Sequence, residues 1–371
     1  MVNGAARRLG HDLRAVAVPW LTARVLVGVG FVVATAVADR LLAGARPQAL
    51  TEGPIAWDGT WYRDIAEHGY QSLPQEGLRF FPLYPLLGRA LGPLFAGRVD
   101  LALVLVANLA SLALAVAVRR LVLFERGNAA LADRAVWMTA LFPGAFVLCW
   151  AYAEAIWILA AVVVLWACRS RRWWWAALAG AVAGASRPLG LLLVVPIAIE
   201  LVRVWRSARP DERVSGLVAV AGPLIGTGAY MLWVGVVYDD AWLPFTVQGG
   251  LRGEGIDPFR RLWEGLGEMF GPDRLGDGLH VPFALAFVVL LVLVWRWWPA
   301  SYGAFATLVL LASLSAENLN SLERYGLNAF PLALALAGLA RAPSVERVVV
   351  TLLGGGMVAL TTMAWLGAYV P

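Results

Sequence analysis

Apolar runs long enough to cross a lipid bilayer recur along most of this chain, and they restrict its fold more than any other feature. A run of about 20 apolar residues spans the hydrocarbon layer as a helix, because a helix satisfies its backbone N–H and C=O groups internally. Hydrophobic residues make up 60% of the 371 residues, charged residues 15%, and the mean hydropathy is +0.70. These values exclude an ordinary soluble globular protein. We expect an all-α polytopic membrane protein that forms a single transmembrane domain over residues 1–371.

The apolar runs predict about eleven transmembrane helices, within a range of ten to twelve. The predicted spans are 20–42, 101–118, 135–150, 153–168, 173–186, 189–205, 217–237, 281–298, 301–315, 326–340 and 348–369. The third and fourth spans are short, and we expect the connection between them to lie at membrane depth. Two long loops remain, at about 43–100 and about 238–280.

The distribution of arginine predicts the orientation of these spans. Arginines cluster at 7–14, 119–134, 169–172 and 203–213, next to the ends of predicted spans. Because cytoplasmic loops are enriched in basic residues, we expect the N-terminus and these clusters in the cytoplasm and both long loops outside the cell membrane. The first apolar segment is too long for a signal-peptide core, so we expect it to remain as a span. The arginines form no continuous basic patch, which argues against nucleic acid as a partner.

The first external loop contains a polar and aromatic stretch, WDGTWYRDIAEHGYQSLPQEGLRFFPLYP, at 57–85. Four of its aromatic and aliphatic residues recur at helical spacing up to Gly69, which predicts a short amphipathic helix on the outer membrane surface. These four residues are Trp57, Trp61, Tyr62 and Ile65. Asp58 lies at the beginning of this helix, and two interpretations stay open for it. Its carboxylate is either an ordinary N-cap or a general base at the lipid–water boundary.

Three further ionisable residues lie at positions where a charge in a membrane protein usually has an ion-pair partner or a function. Glu154 lies at the junction of the third and fourth spans, where its charge is expected to face a cavity or an ion-pair partner. Arg187 and Arg324 lie at the predicted outer ends of apolar spans. Their guanidinium groups suit phosphate oxygens, although arginines in such positions also extend into the lipid headgroups. The segment FFPLYP at 80–85 is interpreted as structural, with the Tyr84 hydroxyl as its one group of catalytic potential.

Neither a disulfide nor a metal site is predicted. Cys149 and Cys168 fall near opposite ends of neighbouring predicted spans. The three histidines, His11, His68 and His280, are isolated along the chain. We expect no cofactor.

The motifs in this chain resemble those of the PIG-V family, the GPI mannosyltransferase 2 type of membrane glycosyltransferase. The first-loop signature comprises Trp57-Asp58, Tyr62, Ile65-Ala66, Gly69-Tyr70 and FFPLYP at 80–85. Shorter matches are Phe142-Pro143, Tyr152-x-Glu154, Ser186-Arg187, Arg324-Tyr325 and Phe330-Pro331. The resemblance implies a GT-C fold, a polyprenyl-phosphate-mannose donor, a site on the non-cytoplasmic face and Asp58 as the catalytic carboxylate. The lack of lysine and the compact loops are similar to those of a bacterial, actinobacterial relative.

These expectations combine into one hypothesis and two alternatives. In the first, Asp58 deprotonates a hydroxyl of a lipid-linked or cell-envelope glycan, which attacks mannose on the donor and inverts the anomeric carbon. Arg324 and Arg187 offset the phosphate charge, Glu154 orients a substrate, and a transmembrane groove holds the prenyl chain. The expected substrate-binding set is Glu154, Arg187, Arg324, Tyr62, Tyr84 and Trp57. The alternatives are a flippase or transporter for a lipid-linked sugar and a protein O-mannosyltransferase.

Overall fold

The computed structural model describes residues 2–41, 44–253, 255–271, 274 and 276–371. Within these residues the protein is entirely helical, as predicted, with seventeen α-helices joined by short 3₁₀ turns. In chain order they are α1 (Val2–Leu41), α2 (Gln48–Glu52), α3 (Asp58–His68), α4 (Leu83–Leu91), α5 (Val99–Arg126), α6 (Ala129–Ala140), α7 (Glu154–Arg169), α8 (Trp173–Ser186), α9 (Val194–Val204), α10 (Pro210–Tyr238), α11 (Leu243–Arg252), α12 (Pro258–Glu268), α13 (Val281–Trp297), α14 (Ala300–Leu314), α15 (Leu322–Asn328), α16 (Pro331–Leu339) and α17 (Pro343–Trp365).

Five of the described helices are long and apolar enough to cross a membrane. They are α1 from Leu9 onward, α5, α10, α13 with the turn before it, and α17. Each has an outward face of exposed large apolar side chains, such as Val25 on α1, Leu109 on α5 and Val236 on α10. An exposed apolar face of this kind is stable in contact with lipid and costly in water. The chain is therefore a multi-pass membrane protein, as its composition predicted.

Several predicted spans are shorter or more interrupted than expected. The span predicted at 135–150 is wrong as a single helix, because α6 ends at Ala140 and a 3₁₀ turn follows at Ala145–Leu148. The segment 189–205 begins as a 3₁₀ turn, Pro188–Leu193, before α9. The segment 326–340 is divided between α15 and α16 at Pro331, whose missing N–H and ring favour a helix start. The loop 238–280 contains α11 and α12.

The amphipathic helix predicted in the first loop is α3, which begins at Asp58 and ends at His68, just before Gly69 with φ of 79°. Its apolar face was expected on the membrane surface, but it packs against protein. Tyr62 lies 5.0 Å from Phe80 and 4.9 Å from Tyr84 between ring centroids, and Ile65 is buried in the same cluster. Helical periodicity predicts an apolar face without saying what covers it. Here α4 and α5 cover it, so that Asp58 at the helix start is held on a packed scaffold.

Close packing of α8 against α10 positions Tyr230 and Arg187. A side chain at Gly222 would overlap the carbonyl oxygen of Ala177, and one at Gly226 would overlap that of Ala181. Small residues of this kind let membrane helices approach closely. The approach brings Tyr230 of α10 beneath the first loop, and it fixes the end of α8 at Ser186, from which Arg187 projects.

Candidate active site

A cavity of about 660 Å³ lies between the first loop, the turn after α8, and the segment that leads into α15. Its lining includes Trp57, Asp58, Thr60, Trp61 and Tyr62 around the start of α3, Arg79–Phe81, Ser186–Leu189, Asn318, Asn320, Ser321, Arg324 and Tyr325. Five of the seven predicted site residues therefore line one cavity, although they come from distant parts of the sequence. They are Trp57, Asp58, Tyr62, Arg187 and Arg324.

Asp58 and Arg324 form an ion pair in this cavity. Arg324 Nη1 lies 2.5 Å from Asp58 Oδ2, and their side chains are 8% and 20% exposed. Trp57, which precedes α3, has φ of 62°, a left-handed value that a non-glycine residue adopts only under strain. Its indole N–H donates a hydrogen bond to the Ala364 carbonyl over 3.0 Å, which holds the entry to α3 in place. Asp58 is the first residue of α3 and not its N-cap, so the N-cap interpretation is not supported.

Glu154 and Arg187 extend this ion pair into a chain of four alternating charges. Glu154 is the first residue of α7, is fully buried, and accepts a hydrogen bond from Arg187 Nη1. The same Glu154 oxygen lies 3.5 Å from Arg324 Nη1. The order along the chain of charges is Arg187, Glu154, Arg324, Asp58. Glu154 does not line the cavity, so it acts on the site through the two arginines that do.

The pKa of Asp58 is lowered from its usual value. Burial of the carboxyl raises the pKa, but attraction to the guanidinium groups of Arg324, Arg79 and Arg187 and the hydrogen bond from Arg324 together lower it further. The phenol of Tyr62, which also lines the cavity, has its pKa raised to about 12 by burial. At neutral pH the site therefore presents an ionised carboxylate beside a protonated phenol.

Tyr84 does not reach the cavity, contrary to its predicted role. Its side chain is fully buried, and its hydroxyl donates a hydrogen bond to the Leu103 carbonyl on α5 over 2.8 Å. A buried phenol needs a partner for its hydroxyl, and this one supports α4 against α5. Phe80 and Phe81 of the same FFPLYP segment, which was interpreted as structural, form part of the cavity wall.

Two site residues were not assigned a role from the sequence. The hydroxyl of Tyr152 accepts a hydrogen bond from the Asp58 backbone N–H over 3.3 Å, and the Arg324 guanidinium lies 5.5 Å from its ring centroid. Tyr152 stands two residues before Glu154, and that proximity was the available signal. Arg79 lines the cavity with its guanidinium 4.6 Å from the Phe80 ring centroid. One arginine in a charged loop gave no local signal of this position.

The helix that carries Arg324 is held from behind by a buried polar cluster. Glu323 accepts a hydrogen bond from the Tyr369 hydroxyl over 2.8 Å and lies 2.9 Å from Nδ1 of His280. Gly144, with φ of 79°, lets the irregular segment after α6 approach α15, because a side chain there would overlap the backbone at 323–324. Fixed elements on both sides therefore position Arg324.

Both carboxylates of the site form ion pairs with arginines. Asp58 and Glu154 each contact a guanidinium group, and among the described residues no three His, Cys, Asp or Glu side chains lie close enough together to hold a metal ion. The arrangement suits proton transfer and anion binding.

No protein-family model matches this chain, and no curated protein is significantly similar to it. The resemblance to the PIG-V family therefore rests on the motif residues quoted above.

Proposed function

We propose that this protein is an inverting glycosyltransferase that moves mannose from polyprenyl-phosphate-mannose to a lipid-linked or cell-envelope glycan. The proposal rests mainly on the Asp58 carboxylate, which pairs with Arg324 in a cavity lined by arginines, at the start of a packed loop helix. A single carboxylate suffices because a phosphate leaving group departs without being protonated, whereas the two carboxylates of a glycosidase share an acid and a base role.

In the proposed reaction the acceptor hydroxyl gives its proton to Asp58 while its oxygen bonds to the anomeric carbon. The bond from that carbon to the phosphate oxygen breaks, and the electron pair leaves with the polyprenyl phosphate. Arg324 contacts Asp58 before the reaction, and the phosphate competes for the same guanidinium. When Arg324 turns toward the phosphate, Asp58 loses its counter-charge and becomes a stronger base. The same guanidinium then offsets the charge that develops on the leaving group.

We further propose a GT-C fold with about eleven membrane crossings. In this arrangement the five long helices are joined by shorter apolar ones, including α7, α8 and α14, of 16, 14 and 15 residues. A helix of 16 residues is roughly 24 Å long, which crosses the hydrocarbon layer when the bilayer thins locally. The arginine clusters favour a cytoplasmic N-terminus, with the cavity on the extracytoplasmic face.

The lowered pKa of Asp58 predicts how activity depends on pH. The base works when it is ionised, so kcat/KM is expected to stay constant from pH 7 to about 5 and to fall only below the usual range of an aspartate. In Arg324→Gln the carboxyl stays partly buried without its counter-charge, so the acid limb is expected to move to higher pH. Initial rates between pH 3.5 and 8 measure both profiles. An acid limb near pH 6 in the wild type would argue against Asp58 as the base in this environment.

A transfer assay tests the function and separates it from the alternatives. The purified protein receives polyprenyl-phosphate-[¹⁴C]mannose and a panel of glycolipid, polysaccharide and protein acceptors. We expect label in the lipid or polysaccharide fraction. Label in protein would identify a protein O-mannosyltransferase, and movement of donor across proteoliposomes without a new glycosidic bond would identify a flippase.

A further inference from the structure

Three guanidinium groups line the cavity, and in the described part of the chain two of them contact a carboxylate. Arg324 pairs with Asp58, and Arg187 pairs with Glu154. For Arg79 no carboxylate of the described residues lies within 4.0 Å, and its Nε is buried without a hydrogen-bond acceptor. Glu52 also lines the cavity, but it accepts a hydrogen bond from Gln48. Arg79 is half-buried, and Asp58 attracts its charge without contacting it. A guanidinium donor that no carboxylate contacts is less costly when a ligand supplies the acceptor.

The backbone on both sides of Arg79 is fixed by tyrosine hydroxyl groups. Tyr230 of α10 donates a hydrogen bond to the Leu78 carbonyl over 2.9 Å, and Tyr70 donates one to the Phe80 carbonyl over 2.6 Å. The guanidinium itself lies over the Phe80 ring. Stacking on an aromatic ring occupies one face of the guanidinium group and leaves its N–H edges available. Arg79 is therefore held in position before any ligand arrives, which lowers the entropy cost of binding.

We propose that Arg79 is the residue that binds the phosphate of the lipid-linked substrate before reaction, while Arg324 and Arg187 are engaged by Asp58 and Glu154. A guanidinium edge matches two phosphate oxygens through paired, charge-assisted hydrogen bonds. This assignment rests on the proposed function for the identity of the lipid and adds the residue that recognises its phosphate. Arg79 anchors the phosphate, and Arg324 is recruited to it as the reaction proceeds.

Binding of a substrate fragment tests the assignment without sugar transfer. Farnesyl phosphate is titrated into the purified protein in detergent and followed by tryptophan fluorescence, with farnesol and inorganic phosphate as comparison probes. We expect farnesyl phosphate to bind more tightly than farnesol or inorganic phosphate. Arg79→Gln is expected to weaken farnesyl phosphate binding by about 10- to 100-fold, the loss of one charged hydrogen-bonding partner, and to leave farnesol binding unchanged.

Three further variants separate a role in phosphate binding from a role in folding. Arg79→Lys keeps the charge and is expected to recover part of the affinity. Tyr230→Phe removes the hydroxyl that fixes the Leu78 carbonyl and is expected to weaken binding severalfold at unchanged charge. The matched control is Arg63→Gln, because Arg63 lies in the same loop, pairs with Asp64, and does not line the cavity. It is expected to bind farnesyl phosphate as the wild type does.

The outcomes separate this assignment from the proposed function. Loss of farnesyl phosphate binding in Arg79→Gln supports the assignment even if the wild type transfers no mannose. Equal binding by Arg79→Gln and the wild type overturns it, even if the wild type does transfer mannose. Equal affinity of the wild type for farnesol and farnesyl phosphate also overturns it. Binding of inorganic phosphate as tight as that of farnesyl phosphate overturns the assignment to a lipid phosphate and identifies a site for soluble phosphate.

Discussion

Asp58→Asn is expected to lower the rate of mannose transfer by about 10²- to 10⁴-fold, the usual contribution of a general base. Asparagine keeps the size of the side chain but cannot take the proton from the acceptor hydroxyl. Arg324 keeps its contact with Glu154, so the variant is expected to fold. Single-turnover transfer of labelled mannose measures the effect on the chemical step, apart from product release.

The matched control for this experiment is Asp64→Asn. Asp64 lies on the same helix as Asp58, but it pairs with Arg63 and does not line the cavity. Its removal is expected to leave transfer unchanged. Transfer at the wild-type rate by Asp58→Asn would refute the assignment of the base.

Glu154→Gln is expected to have the largest effect on stability, of roughly 3–5 kcal/mol. Glu154 is fully buried and lies between Arg187 and Arg324. Glutamine leaves two buried guanidinium groups facing each other without the negative charge that separates them. Thermal unfolding in detergent, followed by tryptophan fluorescence, measures the change.

A second substitution tests whether this loss comes from the arginines left behind. Glu154→Gln combined with Arg187→Gln removes one uncompensated charge, so the double variant is expected to be more stable than Glu154→Gln alone. The control is Glu264→Gln, since Glu264 forms an exposed pair with Arg260 on α12; its loss is expected to cost less than about 1 kcal/mol. An unfolding midpoint of Glu154→Gln equal to that of the wild type would show that the chain of charges contributes nothing to stability.

The positions of the helices along the chain were largely predictable from the sequence. Their depth in the membrane and the elements that pack against them were not. The span predicted at 173–186 coincides with α8, and the helix expected in the first loop begins at Asp58. Apolar runs and glycine stops are local signals. The element that covers a helix leaves no local signal in the sequence. For this reason α3 was expected on a membrane surface, although it packs against protein. The 3₁₀ turns at 145–148 and 188–193 depend on tertiary contacts in the same way.

The candidate site was predictable as a set of residue types but not as a set of contacts. Asp58, Glu154, Arg187 and Arg324 each stood out because a charge in an apolar setting requires a partner. Their mutual pairing was not predictable, because Asp58 and Arg324 are 266 residues apart. For the same reason Tyr84 was predicted to bind substrate, although its hydroxyl donates a hydrogen bond to the Leu103 carbonyl. Arg79 was passed over because its lack of a carboxylate partner is a property of the folded cavity.

The anomeric configuration of the product shows whether the acceptor attacks the donor directly, with Asp58 as its base. The purified wild-type protein is given polyprenyl-phosphate-[¹³C]mannose and a glycan acceptor. We expect it to form a mannoside whose anomeric configuration is opposite to that of the donor, as measured by the one-bond carbon–hydrogen coupling at the anomeric carbon. Direct attack by the acceptor, with Asp58 as its base, permits no other outcome. A product that retains the donor's configuration would rule out direct attack by the acceptor. A donor that stays intact with every acceptor would rule out mannose transfer.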